Sequence, residues 1–126
     1  MGLGQQLMWV AAGGAAGAVC RFGAALWLVK HVGAAFPWAT LAVNILGCFC
    51  IGRFLSSGWA EQESWRLAVA VGFLGSFTTF SAFGAESLHL VRIGKAGWAG
   101  AYVGASVLLG LAAVWLGWKL GTPTTP

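Results

Sequence analysis

The chain has 126 residues, 59% of them hydrophobic and 8% charged, whereas an ordinary soluble domain carries about 25% charged residues; a water-soluble fold could not cover such a chain with polar surface. Its formal charge of +4 sets seven Lys and Arg against three acidic residues, and the basic residues are spread singly along the sequence, not gathered into the patch a nucleic-acid partner would need, so none is expected. Crossing a hydrocarbon core of about 30 Å takes roughly 20 helical residues, which leaves room for about four or five spans and no separate soluble domain.

The first apolar segment covers residues 7–29. No Lys or Arg precedes it, and it outruns the core of a secretory leader, so no cleaved leader is expected. Arg21 lies deep within it, where a guanidinium either snorkels to the nearer surface or raises the local potential for anions at a vestibule. Gly13 and Gly17 form a small-xxx-small pair, repeated at Gly100 with Gly104 and at Gly117 with Gly121. Such pairs let helix backbones approach closely in lipid, and packing within the subunit is the reading adopted for all three. Cys20, Cys48 and Cys50 sit in apolar runs with no His at zinc-ligand spacing, which describes buried, reduced, passive thiols.

Lys30, His31 and Gly33 mark an aqueous turn before the second segment, residues 37–55. Pro37 suits a helix start because its missing N–H would be unpaired there anyway. Thr40 and Asn44 are four apart, on one helical face. Hydroxyl and carboxamide both donate hydrogen bonds, as an anion shedding water requires, and both equally suit bonds between helices. The linker from Ser56 to Ser64 is the most polar stretch of the chain and belongs in water.

The third segment, residues 65–91, contains Gly72-Phe-Leu-Gly-Ser-Phe-Thr-Thr-Phe-Ser-Ala-Phe-Gly-Ala-Glu86. Glycines and hydroxyls at this density make a poor continuous helix, and irregular backbone at membrane depth is permitted only where protein or a watery cavity covers it. A break here would expose carbonyls suited to a small cation. Phe77, Phe80 and Phe83 recur every three residues, on one helical stripe. Rings presented edge-on can touch an anion without gripping it, although core packing is the better account of the spacing alone. Glu86 is the only carboxylate at membrane depth and reads as a hydrogen-bond anchor.

Arg92, Gly94, Lys95 and Gly97 separate this segment from the fourth, residues 98–120, where Tyr102 and Ser106 again stand four apart. Residues 122–126, Thr-Pro-Thr-Thr-Pro, are expected to be a disordered tail after a single transmembrane domain of residues 1–121. Most of the eight Trp fall near the span ends, where amphipathic rings favour the headgroup layer.

With four spans, Arg53, Arg66 and Lys119 fall on one side of the membrane and Lys30, Arg92 and Lys95 on the other, Arg21 aside. Orientation follows an excess of Lys and Arg in cytoplasmic loops, so an even split predicts insertion both ways round and assembly as an antiparallel homodimer.

The third-segment motif, Thr40-Leu-Ala-Val-Asn44 with Gly47, and Gly17-Ala-Val-Cys-Arg21 together resemble the Fluc (CrcB) fluoride channel family, collinearly over all four spans. The resemblance implies an all-α membrane protein of four helices, the third broken near its middle, in a dual-topology homodimer of the bacterial inner membrane. It implies no enzyme but two pores giving passive fluoride export, with fluoride, lipid and a second copy of the chain as partners. Carried over by position, Asn44 is the amide donor, Phe80 and Phe83 are the pore phenylalanines, and Thr40, Ser81 and Ser106 are hydroxyls along the path. Tyr102 and Glu86 line or support that path, and Arg21 stands near an entrance. The backbone carbonyls of Gly75 and Thr78 would hold one structural Na+ at the dimer centre. Ser76, Ala39 and Ala82 depart from the residues usual there, and Ala82 removes one hydroxyl.

Two other readings have less behind them. A small multidrug exporter needs a carboxylate in its first span, where this chain has none. A non-transporting assembly subunit leaves the third-segment polar cluster without a role.

Overall fold

A computed structural model, which describes residues 1–121, is all helical. Four helices are long and apolar enough to cross a membrane: Leu3–Val32, Trp38–Leu55, Glu63–Arg92 and Ala96–Gly121. The expected spans fall inside these, except that Pro37 caps the second helix instead of entering it. The expected disordered tail, residues 122–126, lies outside the described residues.

The first two spans are the unbroken helices α1 (Leu3–Val32) and α2 (Trp38–Leu55). The third is built in two pieces, α3 (residues 63–77) and α4 (Phe80–Arg92), and the fourth is α5 (Ala96–Gly121). Thr78 and Thr79 between α3 and α4 are extended, with φ −85°, ψ 156° and φ −147°, ψ 115°. The break expected around Gly75 to Thr79 thus falls on the two threonines, while Gly75 and Ser76 stay helical. Proximity to glycine does not decide the position; the alternative partners available to the Thr79 backbone do.

Within α3, residues Arg66–Leu74 form a π-helix, and the Gly75 N–H reaches the Ala70 carbonyl five residues back. Runs of this wider helix are rare and concentrate at functional sites. Nothing in the sequence motif anticipated it.

Packing is pairwise. α1 lies along α3, and α2 along α5. Glycine makes both contacts possible: a Cβ on Gly13 or Gly17 would overlap the Ala68 or Phe73 carbonyl, and one on Gly52 or Gly117 would overlap the Val114 or Phe49 carbonyl. Gly100 and Gly104, by contrast, have open space around them. Packing within the subunit therefore does not account for that pair.

A small core of Leu41, Leu90, Ala99 and Tyr102, with Phe36 and Phe83 against it, ties α2, α4 and α5 together. Elsewhere the surface is apolar, with Val19 72% and Leu108 70% exposed, which is costly in water and neutral against lipid tails. All eight Trp are exposed. Cys20 also faces outward, so only Cys48 and Cys50 are even partly buried, and all three are free thiols. The polar linker makes one short 3-10 turn at Gly58–Glu61. Just beyond it, Gln6 Nε2 donates to Glu63 Oε1 at 2.7 Å, joining the start of α1 to that of α3.

Candidate functional site

Two extended residues inside a membrane span must place their backbone groups somewhere, because each polar group left bare in hydrocarbon costs several kcal/mol. Asn44 of α2 solves this for Thr79. Its Nδ2 donates to the Thr79 carbonyl at 3.0 Å and its Oδ1 accepts the Thr79 N–H at 2.8 Å. The carboxamide pairs with Thr79 as a neighbouring β-strand would.

That pairing releases other groups. In a continuous helix the Thr79 N–H would go to the Gly75 carbonyl and the Ala82 N–H to the Thr78 carbonyl. Instead Asn44 takes the first, and Thr79 Oγ1 accepts the second at 3.1 Å as the N-cap of α4. The Ser76 carbonyl, which would await the Phe80 N–H, accepts from Arg21 Nε at 3.0 Å. The Leu74 carbonyl keeps the Thr78 N–H at 3.1 Å and gains its hydroxyl at 2.9 Å. Gly75 and Thr78 are therefore two residues at the break whose carbonyls lose their helical amides to other acceptors. Gly75 is also exposed on the subunit surface. Carbonyl oxygens of unwound backbone, as at Thr78, and of the last turn of a helix, as at Gly75, are the donor type that takes Na+ at membrane depth, so these residues fit such an ion.

The break also separates the phenylalanines. Phe77 ends α3 buried and stacked on Phe73, with centroids 5.8 Å apart and planes at 12°. It does not share a stripe with Phe80 and Phe83, because the extended Thr78 and Thr79 reset the helical phase. Phe80 and Phe83 lie 5.6 Å apart with planes at 42°, and both face a cavity of about 390 Å3. Asn44, Thr78, Thr79 and Ser106 line the same cavity. Ser106 Oγ is the one buried side-chain polar atom without a hydrogen bond among the described residues. Phe80 is 84% exposed, an open wall to this cavity on the subunit surface.

Glu86 marks a second cluster. Its Oε1 accepts from Thr40 Oγ1 and its Oε2 from the Tyr102 hydroxyl, each at 2.7 Å, with Thr40 and Tyr102 both buried. Both carboxylate oxygens are thus satisfied from α2 and α5. The Tyr102 ring lies 5.2 Å from Phe83, which puts the two clusters in sequence. Phe80, Phe83 and Tyr102 form a run of rings that ends at the carboxylate.

Of the residues singled out in the sequence, Asn44, Phe80, Phe83, Thr78, Gly75 and Ser106 share the cavity beside the break. Thr40, Glu86 and Tyr102 form the second cluster, and Ser81 is exposed with its Oγ 3.3 Å from Thr79 Oγ1. Arg21 donates its Nε proton to the Ser76 carbonyl, two residues before the break. Sequence reasoning missed Thr79 as the residue Asn44 grips. The available signal was its place just before a helical run, where a Thr side chain caps the N–H groups that follow.

A family model described as CrcB-like protein, Camphor Resistance (CrcB), matches residues 8–118. A fluoride-specific ion channel FluC of Acidobacterium capsulatum is 44% identical over 117 residues, covering 90% of this chain and 94% of the relative. One from Thermus thermophilus is 45% identical over 124 residues, covering 96% of each. A third, from Rhizobium etli, is 45% identical over 115 residues, covering 89% and 92%.

Proposed function

The chain belongs to the CrcB family of fluoride channels, and from that membership we propose that it is a fluoride-selective channel that lets fluoride leave the cell passively, relieving its toxicity. The observation that carries this reading is the buried Ser106 hydroxyl without a partner, in one cavity with Asn44, Phe80 and Phe83. A buried polar group left unpaired costs about 1–3 kcal/mol, and a passing anion is the partner a hydroxyl donor can serve.

Fluoride is small and strongly hydrated, so a pore must replace its lost water while holding it loosely enough to release it. Ser106 offers one O–H. Asn44 spends one Nδ2 proton on Thr79 and keeps a second. Ser81 offers another hydroxyl at the start of α4. Between these donors stand Phe80 and Phe83, whose ring edges carry partial positive charge. Thr40, Glu86 and Tyr102 continue the path beyond Phe83. Arg21 supports it indirectly by taking the Ser76 carbonyl, and its positive charge favours anions nearby.

The working unit in this reading is an antiparallel homodimer with two pores in the bacterial inner membrane. Three features support it: the even division of Lys and Arg between the two sides, the exposed Phe80, and the exposed Gly75 at the break. Two copies related by a two-fold axis would bring their breaks together, and the carbonyls of Gly75 and Thr78 from both would hold one structural Na+. That ion would neutralise the converging carbonyl dipoles and lock the interface.

Liposomes loaded with fluoride and containing the purified protein are expected to lose fluoride and retain chloride. Phe80→Ile and Asn44→Asp should each suppress the efflux. Equal loss of chloride, or no fluoride loss from folded protein, would contradict the proposal.

A further inference from the structure

Resting on the fluoride-channel reading, we propose that His89 is the hydrogen-bond donor that meets fluoride at the far end of the path, where a second cavity opens beyond Glu86 toward water.

This cavity, about 130 Å3, lies between the end of α1, the loop after it, the start of α2 and α4, and is lined by Phe36, Thr40, Glu86 and His89 among others. Thr40 and Tyr102 both point their hydroxyl protons at Glu86. A carboxylate offers acceptors only. An anion that has passed Phe83 and Tyr102 therefore meets a negative group whose two hydroxyl neighbours have no proton to spare. The next donor must come from the cavity beyond.

His89 is placed to supply it. It follows Glu86 by three residues, close to one helical turn along the same face. It is exposed, and among the described residues its imidazole has no hydrogen-bond partner. It also lines a neighbouring surface cleft together with Arg92, so one side chain borders both the cavity at Glu86 and the subunit surface. A neutral imidazole donates one N–H and an imidazolium two. The positive form would also concentrate anions at the mouth.

Few charged groups compete there. Glu86 precedes His89 on α4 and shares its cavity, and Arg92 follows it. α1 contributes Val29 to the lining, the loop contributes Gly33 to Pro37, and α2 contributes Ala39 and Thr40, none of which titrates. Lys30 and His31 follow Val29 without lining the cavity, the His31 ring is held by the Trp27 carbonyl at 2.7 Å and by stacking on the Trp27 ring, and Lys95, in the turn after α4, holds its Nζ 4.0 Å from the Trp98 ring centre.

A structural role, His89 complementing the negative end of α4, would affect stability and leave conduction alone. The two are separated by measuring fluoride current through the full-length protein in planar bilayers, since undissociated acid carries no current. H89L, which removes the donor, should lower the current about threefold or more, whereas H89Q and H89R, which keep N–H donors, should retain it. The H89R current should exceed that of H89Q at about 0.01 M salt, and the gap between these two variants should narrow toward about 0.15 M. Currents indifferent to residue 89 in a conducting protein overturn the His89 assignment alone. No fluoride current from the unsubstituted chain overturns the channel reading and this inference with it.

Discussion

Asn44 carries more of the structure than a pore donor needs to. Both ends of its carboxamide are engaged by Thr79, so Asn44→Leu should leave a buried N–H and C=O unpaired and cost about 2 kcal/mol. Thr79→Val removes the cap of α4 and the exposed contact with Ser81 Oγ and should cost about 1 kcal/mol. Thermal melts of the two variants in detergent should rank them in that order. Ser106 should behave in the opposite way. Because its Oγ is buried without a partner, Ser106→Ala removes an unsatisfied group, and the melting temperature should hold or rise while fluoride efflux slows. A fall in both would mean that the hydroxyl serves folding. At this scale the sequence singled out Asn44, Ser106 and Glu86 by residue type and depth. It left open whether Asn44 binds backbone or anion, because a carboxamide suits both equally until its neighbour is known. The structure gives Thr79 one of its donors and leaves the other free.

Helix placement was legible because apolar runs of this length have one stable form in lipid, and the ends were marked by charge, Pro and Trp. The interior of the third span was less so. The density of Gly, Ser and Thr predicted a break, but its position on Thr78 and Thr79 depends on Asn44 and Arg21, which lie far away in sequence. The π-helix at Arg66–Leu74 coincides with the face pressed against α1, where the Gly13 and Gly17 positions meet the carbonyls of Ala68 and Phe73. Gly17→Val should therefore push α1 off α3, at a cost of about 1–3 kcal/mol or more, visible as lost monodispersity and a lower melting temperature. Gly104→Ala, with open space at its Cβ, should leave the fold of the subunit unchanged. The two glycine pairs look alike in sequence and differ only in what faces them.

For the whole molecule, the even division of positive charge predicts that a terminal tag is accessible from both membrane faces. Glu61→Arg with Gln62→Arg adds positive charge to the exposed linker and should bias insertion toward one orientation. Tag accessibility would then become one-sided and fluoride efflux should fall. Co-expression with a variant biased the other way, Val32→Arg with Ala96→Arg, should restore it. Efflux undiminished in a strictly one-sided population would rule out the antiparallel assembly.

The sequence by itself determined that this chain lives in a membrane, crosses it four times and interrupts its third crossing. Those properties follow from the cost of placing charge and bare backbone in hydrocarbon, which each segment carries in its own composition. Only the tertiary structure decided which carbonyls are released, which hydroxyl is left without a partner and which hydroxyls are spent on Glu86. Each of those depends on the geometry between residues distant in the chain, since a hydrogen bond forms only when donor and acceptor arrive within about 3 Å in the right direction.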